Sequence, residues 1–199
     1  MALEAEEEKL VGRILRADTA SFAIGCRTLA TEMPAFGTLV KARGSSDGYI
    51  YGLIYNVRIE DDPFVRQIIA AGDVPPEIIE DQRQRRQVPI EVSVLVVGGC
   101  RADGQIFYHL PPLPPATLNQ VWVCGEDELR RFTERFDFFR IVLGARDAPA
   151  DELLTAILRR AASVRSDPAQ YLVHAGRELA TLLGQDMVRL DGILHSLTM

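Results

Sequence analysis

Residues 10–60 read LVGRILRADTASFAIGCRTLATEMPAFGTLVKARGSSDGYIYGLIYNVRIE. Apolar residues alternate with polar or small ones through most of this stretch, the period of half-buried strands. The alternation predicts four strands in succession: Leu10–Arg16, Ala20–Ile24, Gly37–Arg43 and Tyr49–Glu60. Asp18-Thr19 separates the first two, and Met33-Pro34 places an extended dipeptide ahead of the third. Gly44-Ser-Ser-Asp-Gly48 supplies a glycine-bounded turn. The fourth strand sets Tyr49, Tyr51, Leu53, Tyr55, Val57 and Ile59 on one face, with Gly52 opposite leaving room for a close neighbour.

Downstream the period changes. Asp62 before Pro63 reads as an N-cap with proline at the first helical position, and Phe64, Ile68 and Ile69 recur at helical spacing as far as Gly72. A second short helix is expected from Pro75-Pro76. Residues of about 61–87 therefore form a helical insertion rather than a domain. Strand character returns with Val88, Ile90, Val92, Val94 and Val96 on one face. Asp103-Gly104 signals a hairpin returning through Gln105–Leu110, Pro111–Pro115 is a stiff connector, and Gln120–Cys124 is a last strand. Beyond Gly125 the pattern is helical: acids at 126–128 suit a helix N-terminus, and apolar stripes follow in 150–165, 167–183 and 186–197. Asp167-Pro168-Ala169-Gln170 resembles a capping box, and Asp186 is placed to cap the final helix.

The expected fold class is thus α+β: a small antiparallel β-barrel in residues 1–124, followed by a C-terminal α-helical bundle in 125–199. Seven short strands joined by tight turns favour closure, because a closed barrel leaves no sheet edge unpaired.

Composition narrows the function classes. The formal charge of −6 repels phosphate backbones and anionic membranes, so direct nucleic-acid binding is disfavoured. Lys9 and Lys41 are the only lysines among 22 basic residues, leaving arginine to carry nearly all positive charge. Three widely spaced cysteines, Cys26, Cys100 and Cys124, contain no C-x-x-C pair and read as reduced core thiols. The acidic N-terminus lacks the features of a signal peptide, and no apolar run reaches the roughly 20 residues of a membrane span. A soluble, cytoplasmic protein is expected.

Val11-Gly-Arg-Ile14, Thr19-Ala-Ser-Phe22, Gly37-Thr-Leu-Val40 and Tyr51-Gly-Leu-Ile54 together form a pattern that resembles the HAS barrel. That domain is shared by HerA-type DNA-translocating ATPases and F-type ATP synthase subunits. The proline-rich link, Val121-Trp-Val123 and the acidic helix start are also similar to the exit of the HerA barrel toward its motor. The resemblance covers the first two-thirds of the chain. It implies a barrel that sits in an oligomeric crown and mediates assembly or partner docking. The P-loop motor that follows the barrel in those proteins has no counterpart, since no G-x-x-x-x-G-K-[ST] motif occurs here.

Candidate chemistry is sparse. Glu60, Asp61 and Asp62 could gather a cation, although helix capping accounts for Asp62. His109, His174 and His195 lack the spacing of a ligand pair, and Cys26 or Cys100 would need an adjacent histidine to act as a nucleophile. Neither a cofactor nor a metal is expected. Arg83, Arg85 and Arg86 form the compact basic cluster, a candidate contact for a partner or nucleic acid, with the Tyr49, Tyr51 and Tyr55 face as a stacking platform. Core packing is the simpler reading of those tyrosines. Met187, Leu190, Leu194 and Leu197 are candidates for contact with a partner helix. The function expected is a non-catalytic assembly or adaptor module, a homo-oligomer or one docked on a separately encoded ATPase. The alternative is a nucleic-acid-binding accessory protein using the barrel face and Arg83–Arg86.

Overall fold

A computed structural model describes residues 9–28, 32, 34–44, 48–59, 63–72, 74–77, 79–80 and 88–198. The strands are β1 (Leu10–Ala17), β2 (Ser21–Thr28), β3 (Leu39–Arg43), β4 (Tyr49–Ile59), β5 (Val88–Cys100), β6 (Ile106–Phe107) and β7 (Gln120–Val123). The order β2-β1-β7-β3-β4-β5 is closed by pairing of β5 with β2, so six antiparallel strands form a barrel. Closure is extensive, running in register from Ser21↔Leu95 to Thr28↔Val88.

The seventh strand lies outside this ring. β6 pairs only Ile106 and Phe107 with the end of β5. The hairpin at Asp103-Gly104 forms as read, with Gly104 at φ +84° and the Asp103 carboxylate accepting from the Gln105 N–H at 2.9 Å. Residues 108–110 leave the ladder. There the Tyr108 hydroxyl donates to the Phe132 carbonyl at 2.8 Å, turning the chain toward the helices.

The turn between β1 and β2 is organised by Asp18, whose carboxylate accepts from the Ala20 and Ser21 N–H groups and the Ser21 hydroxyl. Bulges at Ile14/Arg16 and Tyr51/Gly52 interrupt the ladders and supply the bend that closure requires. Inside the ring, Ile14, Ile24, Val40, Ile54, Val92 and Val94 are wholly buried. The lumen is therefore filled by apolar side chains, each stabilising by about 1.5–3 kcal/mol.

Opposite this interior, the outer wall carries a second core. Leu39, Tyr51, Leu53, Leu95 and Val97 point away from the lumen and pack with the helices. This is why β5 is apolar on both faces at its second half.

After α1 (Pro63–Ala71), five further helices follow β7: α2 (Glu126–Phe132), α3 (Phe139–Leu143), α4 (Ala150–Ser163), α5 (Pro168–Leu182) and α6 (Met187–Thr198). α4 is the central one, touching α3, α5, α6 and β4. Its Leu153, Leu154, Ile157, Leu158 and Ala161 are fully buried, a stripe wide enough to face several partners. The Asp167 carboxylate accepts from the Gln170 N–H at 2.9 Å, and Asp186 accepts from Arg189 N–H at 3.1 Å. Both caps sit where the sequence places them. α2 is shorter than its apolar spacing suggests: Thr133 bonds back to the Leu129 carbonyl and ends it, leaving Phe136 in the following loop. At the helix–barrel junction Phe132 lies at the centre of a ring cluster, 5.4 Å from Tyr51, 5.2 Å from Tyr108 and 5.3 Å from Phe138.

Candidate functional site

The strand face that offered a stacking platform is turned into the protein. Tyr51 is 3% exposed, and Tyr49 and Tyr55 pack against the same helix-side core. Its alternation reflects a wall buried by helices. Arg83, Arg85 and Arg86 lie outside the described residues, as do Glu60, Asp61 and Asp62. The nucleic-acid reading thus loses its aromatic face.

Three of the four candidate partner contacts on α6 are also internal. Leu190 and Leu197 are buried, and Leu194 packs against the helical core, so the stripe is consumed by α4 and α5. Met187 alone of the four stays exposed. The inward turn of these residues has a simple cause: α4 is broad enough to receive the faces of both following helices.

The thiols and imidazoles do not converge. His109 lies stacked on Phe107 at 4.8 Å and bonds the Leu110 carbonyl through Nδ1 at 2.9 Å. His174 and His195 are exposed on different helices. Cys124 is buried, while Cys26 and Cys100 are half-buried. Cys26 lines a groove of about 660 Å³ with Arg13, Glu32, Thr38 and Arg160, and no histidine is among its lining residues. Burial pushes the Cys26 thiol up, the opposite of what nucleophilic attack requires. Among the described residues, no group of three or more His, Cys, Asp or Glu side chains is arranged to hold a metal ion. No helix among them is long and apolar enough to cross a membrane.

Among the described residues, the buried charged side chain is Lys41. Lys41, on β3, is 4% exposed and places Nζ 2.8 Å from both carboxylate oxygens of Glu128 on α2. The Tyr51 hydroxyl donates to the same carboxylate at 3.4 Å, and the Tyr49 ring lies 5.1 Å from the ammonium. Burial first, and the Glu128 charge second, push the Tyr51 phenol far above its ordinary range. The cluster fastens the barrel wall to the helices.

What the sequence reading passed over is α1. Its sequence, PFVRQIIAA, carries only Arg66 and Gln67 as polar residues. Val65 and Ile69 are nevertheless exposed, Ile69 at 73%, and Ile59 at the end of β4 is 59% exposed. The available signal was local: Val65 and Ile69, four residues apart, share one side of α1.

Comparison with known proteins adds no identity: no family model matches the chain, and no curated protein is similar to it.

Proposed function

We infer that the protein is a non-catalytic assembly module whose barrel and helices form a rigid frame and whose α1 end docks a second copy of the same chain. The observation carrying this is the exposure of Ile59 at the end of β4 and of Val65 and Ile69 on α1. Leaving such side chains in water forfeits about 1.5–3 kcal/mol each, which association recovers. The resemblance to HAS barrels, which sit in oligomeric crowns, supports self-association over an unrelated partner. The same resemblance makes a separately encoded HerA-type DNA-translocating ATPase the heterologous partner class, since these 199 residues contain no P-loop motif.

Size-exclusion chromatography with light scattering at micromolar concentration tests the reading. An oligomer is expected, and the paired substitutions Val65→Asp and Ile69→Asp should give a monomer with an unchanged circular dichroism spectrum. A wild-type chain that is strictly monomeric across this range would overturn self-association through α1.

A further inference from the structure

β4 outlasts its partner on one of its two sides. It pairs with β5 as far as Ile59↔Ile90, whereas β3 accompanies it only over Tyr49–Leu53. The last bonds on the β3 side belong to Ile54, which donates to the Thr38 carbonyl at 3.1 Å and accepts from the Gly37 N–H at 2.8 Å. Past Ile54, no backbone group of β4 is bonded on that side among the described residues. Residues 56–59 thus form an open sheet edge, with Asn56, Arg58 and Ile59 exposed.

The ladder fixes which groups face the open side. The Val96 N–H donates to the Ala20 carbonyl at 2.8 Å, toward β2, and the β2–β5 register continues without a shift from Leu95 to Val88. Successive residues of a strand aim their N–H and C=O groups to opposite sides. Ser93 and Glu91 therefore turn theirs toward β4, where their partners are Asn56 and Arg58. The main-chain groups of Val57 and Ile59 point the other way, into the open edge. Their side chains carry on the apolar lumen face: Val57 packs against the lumen core and Ile59 lies opposite Ile90.

We propose that this edge pairs with the same edge of a second copy, antiparallel and centred on Val57. The pairing rests on the self-association inferred above and gives its mode, the addition of strand to strand. Unpaired main-chain groups in a row are a template for such addition. Three antiparallel registers could use the outward groups, centred on Val57, Arg58 or Ile59. A centre at Arg58 sets two guanidiniums directly opposite one another, which is destabilising. A centre at Ile59 carries Val57 past the last residue of the partner's β4 and leaves its groups unmatched. A centre at Val57 joins Val57 to its symmetry mate by two hydrogen bonds, sets Ile59 against Tyr55, and sets Arg58 against Asn56. Two-fold symmetry then matches apolar to apolar and polar to polar along the edge. Ile59, 59% exposed in the single chain, is covered by the partner strand.

The test is disulfide trapping of the full chain under mild oxidation, with light scattering and amide hydrogen exchange alongside. Val57→Cys should give a covalent dimer well above the wild-type background, since directly paired residues stand about 5.5 Å apart, within disulfide reach. Arg58→Cys and Ile59→Cys should stay near that background. In the oligomer, the Val57 and Ile59 amides should exchange about tenfold or more slowly than in the Val65→Asp, Ile69→Asp double variant. Those of Asn56 and Arg58, already bonded to β5, should hardly change. An oligomeric wild type with no trapping at Val57 and no added protection would overturn the edge pairing while leaving association through α1 intact. A trapping maximum at Arg58→Cys or Ile59→Cys would overturn it as well. A strict monomer by light scattering would overturn the self-association itself, and the pairing with it.

Discussion

Lys41 on β3 and Glu128 on α2 meet through two 2.8 Å contacts, joining the barrel wall to the first turn of the helical layer. Glu128 also accepts from the Gly125 N–H at 3.2 Å, so one carboxylate serves the lysine and the start of the helix. The partners differ in burial: the Lys41 side chain is 5% exposed and that of Glu128 26%. Their removals should therefore be unequal. Glu128→Ala leaves an ammonium in the core without its carboxylate and should cost about 3–5 kcal/mol. Lys41→Met leaves a carboxylate that water still reaches and should cost about 1–2 kcal/mol. Urea denaturation of both variants checks the order. Equal losses would mean that the pair is not desolvated asymmetrically.

Two glycines should respond oppositely to alanine. At Gly52 a Cβ would run into the Val94 side chain and stand 2.9 Å from the Leu95 carbonyl oxygen, inside the packed lumen. Gly52→Ala should destabilise by about 2–3 kcal/mol or more. Gly192 lies within α6, and a Cβ there meets nothing within 4 Å. Gly192→Ala should stabilise by about 0.5–1 kcal/mol through the lower helix propensity of glycine. Thermal melts of the pair give the comparison.

Acid should weaken the fold through two carboxylates, Asp18 in the β1–β2 turn and Glu91 on β5. Burial pushes the Asp18 carboxyl up, but hydrogen bonds from Ala20 and Ser21 more than offset it, and it titrates below the usual range. The Arg16 hydrogen bonds hold Glu91 down against a smaller effect of burial. Folded values below unfolded ones give stabilisation that is complete above about pH 5 and is lost as the pH falls through the folded values. The urea midpoint should hold from neutrality to about pH 5 and then decline. Asp18→Asn should flatten that decline; an unchanged slope would remove Asp18 from the account.

Alkaline titration should separate the tyrosines. Burial pushes the phenols of Tyr108 and Tyr171 up to about 12, and Tyr51 is raised further. Their folded values exceed the ordinary value near 10, so the linked stabilisation is full below about pH 10 and is lost as the pH rises through the folded values. Ultraviolet absorbance should show Tyr51, Tyr108 and Tyr171 ionising only well above pH 10. Ionisation of these three at about pH 10 would contradict the burial of the helix–barrel junction.

Alternation in β4 and β5 made the barrel legible, because a period of two survives any detail of packing. It did not say which face was the lumen. Ile50, Gly52 and Ile54 line the interior, while the more conspicuous Tyr51 and Leu53 meet the helices. A chain buried on both sides offers no polar face to decide the question; only the apolar Leu95 and Val97, out of phase with the valine run, hinted at it. Lys41 was illegible for a related reason: its ion pair depends on Glu128, 87 residues away. The caps at Asp167 and Asp186 were readable since they are local. The inward turn of Leu190 and Leu197 was not, being settled by α4. The meeting of Arg130 with Arg165 was illegible for the same reason, since they lie 35 residues apart and gather only when the carbonyl ends of α2 and α4 come together.

The position of β7 constrains how the polypeptide acquires its shape during synthesis. Gln120–Val123 lies between β1 and β3, contributing the hydrogen-bonded seam at Gly12↔Val121 and Lys41↔Trp122. A nascent chain emerging from the ribosome can form the β1–β2 and β3–β4 hairpins early, yet the cylinder lacks its keystone until residue 123 is available. During that interval the valine-rich lumen surface is open to water and to neighbouring chains, so elongation through the proline-rich connector is when this protein has greatest need of a chaperone.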